Sequence, residues 1–376
     1  MSLARQNRGG LIASTLVMCL LIGSGAGCGA GCGNETGNDG DVGPDSELDA
    51  CCDAGPDVGD GGTDAHPWGL DPAEWAAEHP SCDATEIQLP PSGMTMVTGV
   101  HHVGRYVVYA DLWDTTDWYF MDDVFLYDLL TCTEYWITKK YYAQSFPCIW
   151  SDEVVFTNSD QPDDSLGLVL FDVQSLQFVE LHSQSFGGKP LYNGRYIVYS
   201  AFSETVQRGT NLTLWDLQSD DEVRLAEDWQ GAEDVSLSPT HAAWVAWGGP
   251  DKDVFFADLV TREITHIEST WDPYTAFTAT WGDWVLWEDQ RNGQPDVYGW
   301  RISTGEEVRL TDNGAWNGRP TLRGSVACWR TNYWGGSQGW DLVVYDLETQ
   351  VLRRVTREPH PGYKCGDLDS GWLVYQ

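Results

Sequence analysis

Basic side chains are scarce in this chain of 376 residues, which carries 21 Lys and Arg against 57 Asp and Glu and has a formal net charge of −36. No Lys or Arg occurs between Arg8 and Arg105. Proteins neutralise the phosphates of nucleic acids with clustered Lys and Arg. The composition therefore disfavours nucleic acid as a partner, and it disfavours an anionic membrane surface for the same reason.

The sequence signatures of catalysis and cofactor binding are also missing. There is no P-loop, dinucleotide-binding fingerprint or zinc-ligand spacing. A GxSxG match at residues 335–339 precedes a predicted strand, whereas a nucleophile elbow precedes a helix. His101 and His102 are neighbours in a predicted strand and point to opposite faces, so they cannot chelate one metal together. We expect no catalytic residues, no metal and no cofactor, with calcium in the Asp-rich tract as the alternative.

Long apolar runs are absent too, and the run from Leu11 to Ile22 is too short to span a bilayer as a helix. It follows two arginines and leads into small residues, which predicts an export signal over residues 1–27. The small residues before Cys28 resemble a bacterial lipobox, which implies lipidation at Cys28, with Cys32 as a second candidate. The expected location is the bacterial cell envelope, outer-membrane-anchored or periplasmic, or outside the cell if no lipid is attached.

A Gly- and Asp-rich tract follows over residues 28–80, and its residues 33–80 contain 13 acidic side chains and no basic one. Such a composition cannot bury enough apolar surface to fold, so we predict a disordered tether. No stretch of it matches the spacing of a calcium-binding loop. The folded domain is predicted over residues 81–376.

That domain is rich in aromatic residues, and it repeats itself. Six segments follow an aromatic-Asp-aliphatic-x-hydroxyl pattern, with Ala257 at the aromatic position of the fourth and Arg301 at the Asp position of the fifth. Their hydroxyl residues are 44, 44, 42, 43 and 45 positions apart. A buried-type strand ending in an aromatic residue precedes each core, and each unit holds about four short strands without a helical pattern. This is typical of the blades of a β-propeller. The hydroxyl residues are Thr131, Ser175, Ser219, Thr261, Thr304 and Thr349.

The strand count predicts how the ring closes. Seven buried-type strands occur but only six hydroxyl turns, because the last strand ends at Tyr375. We predict an all-β propeller of seven blades, in which residues 85–89 complete the last blade from the N-terminal side. The alternative is a six-bladed ring with the last hairpin as an appendage.

The fifth unit, WVLWEDQRNGQPDVYGWRISTGEEVRLTDN, resembles the repeats of TolB-like propellers, which are secreted and periplasmic bacterial proteins. The resemblance covers roughly residues 85–376 and implies architecture more than function. The Ser-Pro-Asp-Gly turn of that family survives only as Ser238-Pro239, and residues 66–84 offer no counterpart to the α/β domain that precedes the propeller in TolB. WD40-like repeats are the alternative, given Trp215-Asp216, although their Gly-His pair is missing.

Aromatic residues in the loops that enter the innermost strands form the candidate binding site. The TolB-like resemblance places these loops on one rim, together with long loops that carry Asp114, Asp117, Asp163 and Asp164. Aromatic platforms flanked by acids suit glycans, basic peptides or cations. The alternative is that the rings pack between blades. The six aromatic residues are Tyr142, Phe186, Trp229, Trp271, Trp316 and Tyr363.

The cysteines fit an oxidising location. We predict disulfides between Cys82 and Cys365, which would lock the ring, and between Cys132 and Cys148, although spacing does not determine connectivity.

The predicted function is a non-catalytic binding or interaction module, monomeric, with a protein, peptide or glycan partner at one rim. One alternative is a glycosidase-like propeller hydrolase with paired channel carboxylates, of which the predicted innermost strands show little beyond Asp234. Another is a structural surface protein without a discrete ligand.

Overall fold

The structure is a computed structural model. It describes residues 16–20, 86–89 and 97–375, apart from gaps at 115–120, 139–143, 160–166, 183–188, 203–209, 227–230, 248–251, 269–274, 335–338, 357–358 and 370–371. In this part of the chain all regular elements are β-strands, so the all-β prediction is confirmed.

The strands are short and follow one another at the spacing of the repeats. In the first half of the chain they are β1 Leu16–Leu20, β2 Glu86–Leu89, β3 Val97–Val103, β4 Tyr106–Asp114, β5 Met121–Asp128, β6 Thr133–Trp136, β7 Gln144–Trp150, β8 Glu153–Asn158, β9 Gly167–Asp172, β10 Gln177–His182, β11 Leu191–Tyr192, β12 Tyr196–Phe202, β13 Thr210–Asp216 and β14 Asp221–Ala226. In the second half they are β15 Glu233–Leu237, β16 His241–Trp247, β17 Lys252–Asp258, β18 Ile264–Ile267, β19 Ala276–Trp281, β20 Trp284–Asp289, β21 Asp296–Arg301, β22 Glu306–Arg309, β23 Asn317–Arg323, β24 Val326–Thr331, β25 Asp341–Asp346, β26 Val351–Arg354, β27 Cys365–Asp369 and β28 Trp372–Tyr375.

Six blades are each built from four consecutive antiparallel strands, β3 to β6 being the first and β23 to β26 the sixth. The first strand of each blade is the innermost one. These innermost strands contact one another in chain order, and β27 contacts both β23 and β3, so the strands enclose a central channel. The arrangement confirms the β-propeller. The structure has six complete blades and not the seven predicted, so the blade count is that of the six-bladed alternative.

The closing sheet combines both ends of the described chain in the order β2, β1, β28, β27. Residues 85–89 were expected to complete this sheet, and Glu86–Leu89 does form its outermost strand. It does not pair with the last hairpin directly, however, because β1 lies between them, with Val17 opposite Tyr375 and opposite Gln88. Part of the predicted signal segment therefore forms a strand here, and the predicted tether lies outside the described residues.

The aromatic ends of the buried strands fill the space between blades. Tyr109, Phe156, Trp287 and Trp329 are fully buried, and Tyr199 and Tyr375 nearly so. Trp247 is the exception at 37% exposed, and in that blade the fully buried ring is Trp244. The excess of Trp thus serves mainly the contacts between sheets.

The Asp of the repeated core holds the turn after the third strand of its blade. In the fourth blade the Asp258 carboxylate accepts bonds from the backbone N–H groups of Val260 and Thr261, at 2.9 and 2.7 Å. Short polar side chains commonly bond to nearby backbone in this way. The residue after each hydroxyl has a positive φ, between 53° and 65°: Cys132, Leu176, Asp220, Arg262, Gly305 and Gln350.

An ion pair links the first and third turns of a blade, and in the fifth blade its two charges are exchanged. In the third blade Arg195, which follows the first hairpin turn, pairs with the core residue Asp216 at 2.6 Å. In the fifth blade the corresponding positions hold Asp283 and Arg301, which pair at 3.1 Å. Asp283 also accepts the backbone N–H of Ser303 at 2.7 Å. The missing core Asp of this repeat is therefore replaced by a carboxylate from another turn of the same blade.

Both predicted disulfides are wrong for the cysteines that the structure describes. Cys365 is bonded to Cys328, which joins β27 to β24 of the sixth blade, so it does not pair with Cys82. Cys148 is a free, buried thiol, whereas Cys132 is disulfide-bonded, so these two are not partners. The Cys148 sulfur contacts the backbone of Tyr192 instead, and it accepts the Tyr192 N–H at 3.2 Å.

Candidate functional site: the mouth of the central channel

A β-bulge interrupts the start of nearly every innermost strand, and it turns one residue out of the regular pleat. The ladder between the two inner strands shifts register at this point in six of the sheets. Bulges re-aim a side chain and bend the strand locally. The turned residue has a positive φ, between 48° and 61°, at Gly99, Phe146, Asp234, Phe277 and Arg319.

These turned residues contact their neighbours from blade to blade. A Cβ on Gly99 would lie 2.9 Å from the Cα of Phe146. The Asp234 carboxylate accepts the backbone N–H of Phe277 at 3.1 Å, and the Arg319 guanidinium lies 4.4 Å from the centre of the Phe277 ring. The bulges thus place the side chains of Phe146, Asp234, Phe277 and Arg319 in four of the blades close to the rim at which the innermost strands begin.

Cations gather at this mouth although the chain is strongly acidic. Lys189 lies just before the third innermost strand, 5.4 Å from the ring centre of Phe146. Lys364 precedes β27, and its pKa is lowered by burial and then by the positive charges of Arg319, Lys189 and Arg330. The pKa of Arg330 is lowered by burial and by Arg319. We call Lys189, Arg319, Arg330 and Lys364 the cationic cluster.

The carboxylate of Glu288 lies beside the cationic cluster and accepts hydrogen bonds from a backbone group and an indole group. Glu288 is 8% exposed and accepts the backbone N–H of Arg319 at 3.0 Å. Burial raises the pKa of Glu288, although that bond, the charges of Arg330 and Arg319 and a hydrogen bond from Trp316 oppose the rise. The Nε atoms of Arg319 and Arg330 are buried and have no hydrogen-bond partner in the described part of the chain.

Two tryptophans border the cluster on its outer side. The Trp316 and Trp340 rings meet edge to face at 5.4 Å, and Arg330 lies over Trp340 at 4.2 Å. Trp316 is 38% exposed. The structure therefore places this predicted rim residue at the channel mouth, next to charged groups.

The other predicted site residues divide into two groups. Tyr363 packs edge to face against Tyr375 at 5.6 Å and lies against the core between the sixth blade and the closing sheet, a position that fits the packing alternative. Asp114 ends β4, and its side chain is not described. The remaining predicted residues lie outside the described part of the chain: Tyr142, Phe186, Trp229, Trp271, Asp117, Asp163 and Asp164.

The opposite end of the channel is plugged. Trp150 and Trp281 end innermost strands of blades that are not neighbours, yet their ring centres are 6.2 Å apart. Arg323 lies 4.1 Å from the Trp281 ring and 5.2 Å from the Trp150 ring, and it pairs with Asp369 at 3.2 Å. Because these rings meet across the channel axis, the channel is a cup that opens at the rim of the cationic cluster.

A histidine near the channel wall lies between a thiol and a carboxylate. The Nε2 atom of His101 is 3.6 Å from Asp367. Burial lowers the pKa of His101, but its interactions with Cys148 and Asp367 outweigh this and raise the pKa to about 9. Cys148 is 2% exposed and accepts the backbone N–H of Tyr192 at 3.2 Å. A substrate does not reach such a thiol, so the group serves packing between blades.

Two further features bear on the site. No group of three or more His, Cys, Asp and Glu side chains lies close enough to hold a metal ion among the residues that the structure describes. The same residues form no helix that is long and apolar enough to cross a membrane.

Sequence reasoning missed the cationic cluster, although a signal for it exists. The turned residues and the two lysines stand 14 to 16 positions after the hydroxyl residue of the preceding repeat. Lys and Arg are rare in this chain, so three of them at one repeat position, Lys189, Arg319 and Lys364, form a pattern. The predicted site instead contained the aromatic residues that lie a few positions earlier in each repeat.

A ring of four-stranded sheets around one plugged channel is a β-propeller. No protein-family model matches the chain, and no curated protein matches it in sequence. Among solved structures, the acylaminoacyl peptidase of Pyrococcus horikoshii aligns with a TM-score of 0.54 and 11% identity, over 72% of this chain and 47% of the peptidase. Puromycin hydrolase aligns with a TM-score of 0.51 and 13% identity, over 77% of this chain and 57% of the hydrolase.

TolB from Acinetobacter baumannii aligns with a TM-score of 0.42 and 16% identity, over 72% of this chain and 79% of TolB. The chain spans about half the length of the peptidase and of the hydrolase. At these identities the likeness shows a shared fold alone, which is the propeller.

Proposed function

We propose that this protein is a TolB-like binding module of the bacterial cell envelope, which engages its partner at the channel mouth. In this proposal residues 1–27 direct export, Cys28 carries a lipid, and the acidic tether holds the propeller clear of the membrane. The observation that carries the binding role is the gathering of bulge side chains and cations at the mouth of a channel whose opposite end is plugged by Trp150, Trp281 and Arg323. Pockets that bind ligands are typically concave and have a few convergent polar groups.

Binding is favoured over catalysis by the state of the carboxylates in the channel. A glycosidase needs a pair of carboxyl groups free to act as acid and base or nucleophile. Asp234 bonds to the Phe277 backbone, Asp369 pairs with Arg323, and Asp367 lies beside His101 and accepts the His102 N–H at 2.8 Å. These groups are engaged with protein partners, which supports a non-catalytic role, and in our proposal a monomer binds a protein, peptide or glycan.

The two rims provide a matched test of where binding occurs. Trp334, 44% exposed, lies on the rim of the channel mouth between β24 and β25, and Val260, 74% exposed, lies in a turn of the opposite rim. A photo-cross-linking amino acid is placed at one position or the other in the organism that encodes the protein. We expect a discrete adduct from position 334 and none from position 260. Equal adducts from both rims, or none from either, would contradict the proposal.

Export and lipidation are tested separately by fractionation and lipid labelling. We expect the chain to label with palmitate and to sediment with membranes, and Cys28→Ser to abolish both. Cys32→Ser is the matched control, since it changes the neighbouring candidate. Labelling that survives in Cys28→Ser and is lost in Cys32→Ser would place the lipid on Cys32. Absence of labelling in the unchanged protein would contradict lipidation at either cysteine.

We also propose that the closing sheet rearranges in the exported protein. When residues 1–27 are removed, β1 is lost from the closing sheet, and Glu86–Leu89 takes its place beside β28. Pairing at this edge is favoured because an unpaired strand edge invites aggregation. Hydrogen exchange tests this: protected amides at residues 86–89 of the processed protein support it, and exchange as fast as in the tether contradicts it.

A further inference from the structure

We infer that the channel mouth binds an anionic group, a carboxylate or phosphate of the ligand, between Arg319, Arg330 and Lys364. The inference rests on the proposed function, because it concerns the same rim, and it names the chemistry that the rim recognises. It also reverses the charge expected of the partner, since the acids in the rim loops pointed to cations and basic peptides.

The first step of the argument concerns how arginines are used elsewhere in the protein. Arg195, Arg309 and Arg354 each pair with a nearly buried Asp at 2.6 to 2.7 Å, and further arginines pair in the same way. The guanidinium groups of Arg319 and Arg330 form no ion pair within 4.0 Å among the described residues. Acidic side chains outnumber basic ones in this chain, so two arginines without an acid partner mark a site kept open for an anion.

The second step is that the two guanidinium groups are held in place without being used up. Arg319 stacks on Phe277 and Arg330 stacks on Trp340, at 4.4 and 4.2 Å. Stacking on a ring face leaves the N–H edge of a guanidinium free, and that edge matches the oxygens of a carboxylate or phosphate. The Nε atoms of both arginines are buried and lack partners in the described residues, so neither guanidinium uses this donor on a protein group.

The third step concerns the electrostatic balance of the mouth. Four cations lie close enough for Arg319, Lys189 and Arg330 each to disfavour the charge on Lys364. Buried or half-buried like charges destabilise a fold unless a counter-charge joins them. Glu288 offsets part of this repulsion, because its charge acts on Arg330 and Arg319, but it is one carboxylate beside four cations and burial raises its pKa. A ligand anion relieves the repulsion, so ligand binding and stability are coupled.

Calorimetric titration of the purified protein tests the inference with three probes: trialanine with a free carboxylate, trialanine amide and inorganic phosphate. We expect saturable binding of trialanine, phosphate or both, no binding of the amide, and weaker binding at higher salt. Arg319→Gln and Lys364→Gln each remove one charge, and we expect each to weaken binding by about tenfold or more, the scale of one charge-assisted hydrogen bond. Arg301→Gln, at an exposed position of the opposite rim, is the control and leaves binding unchanged.

Each result has a defined meaning. Trialanine binding alone identifies a carboxylate ligand, and phosphate binding alone identifies a phosphate ligand. Failure of all probes, or equal loss in Arg319→Gln and Arg301→Gln, overturns the inference. Because Lys364 is half-buried and makes no ion pair in the described part of the chain, Lys364→Gln keeps the test valid if Arg319→Gln does not fold. A specific adduct at position 334 without anion binding would support the proposed function and overturn the anion site. Anion binding without a specific adduct would support the anion site and contradict the proposed function.

Discussion

Removal of the disulfide between Cys328 and Cys365 should strongly destabilise the propeller, because this bond fastens the last hairpin to the sixth blade. The bridged residues are 37 positions apart. The loop-closure entropy for a loop of this length corresponds to about 4 kcal/mol at 25 °C. The double variant Cys328→Ala/Cys365→Ala removes the bond and leaves the one at Cys132 intact.

Urea unfolding of the oxidised protein and of the double variant measures the loss. Both sulfurs are buried, at 0% and 8% exposed, so part of the effect comes from lost packing. Cys148→Ala supplies that part, since Cys148 is a buried thiol without a disulfide. The Cys148→Ala loss in the free energy of unfolding is counted twice, once for each sulfur, and subtracted from the loss in the double variant. We expect the remaining loss to be about 4 kcal/mol. This corresponds to a melting temperature lower by roughly 8 °C, at about 2 °C per kcal/mol. A remainder below about 1 kcal/mol would refute the view that the bond secures the ring.

Three further predictions concern turns and charges. Gln350 has a φ of 58°, so Gln350→Gly should stabilise the protein by up to about 1 kcal/mol in thermal unfolding, whereas Gly305→Ala, at a φ of 65°, should destabilise it by a similar amount. Asp283→Ala should reduce the free energy of unfolding by about 1 to 3 kcal/mol, because it removes bonds to the Ser303 backbone and hydroxyl; an effect within error would contradict its role in the turn. The pKa of His101 is raised to about 9 from 6.5, so its contribution to stability is full below about pH 6.5 and is lost as the pH rises through 9. Urea unfolding between pH 6 and pH 10 measures this, and His101→Gln should flatten the profile; an unchanged profile would show that His101 does not titrate there.

The sequence predicted the blades well because a propeller repeats both its strands and its turns. The core Asp and the hydroxyl after it recur at a nearly fixed spacing, and in the structure Asp258 and Asp346 hold the turns as expected. A run of aliphatic and aromatic residues indicates each buried strand. These signals are local, so they can be found without knowing which blades touch.

The channel mouth could not be predicted in the same way. A bulge depends on how two strands pair, and nothing in the residues around Arg319 indicates a positive φ at a position that carries a long side chain. The stacking of Arg330 on Trp340 joins β24 to the end of the following loop, a contact that only the fold creates. Cysteine pairing failed for a related reason: Cys328 and Cys365 are brought together by the approach of β24 to β27.

The exchanged charge pair of the fifth blade has a consequence for any attempt to derive an idealised repeat from this chain. The third blade has Arg at the first position and Asp at the second, and the fifth has Asp and then Arg. A consensus taken column by column treats the two positions as independent and can select Asp twice or Arg twice. Like charges would then face each other across one hairpin and destabilise it. The residue at one position determines which charge is stabilising at the other. Repeat design on this scaffold therefore has to choose the two residues together.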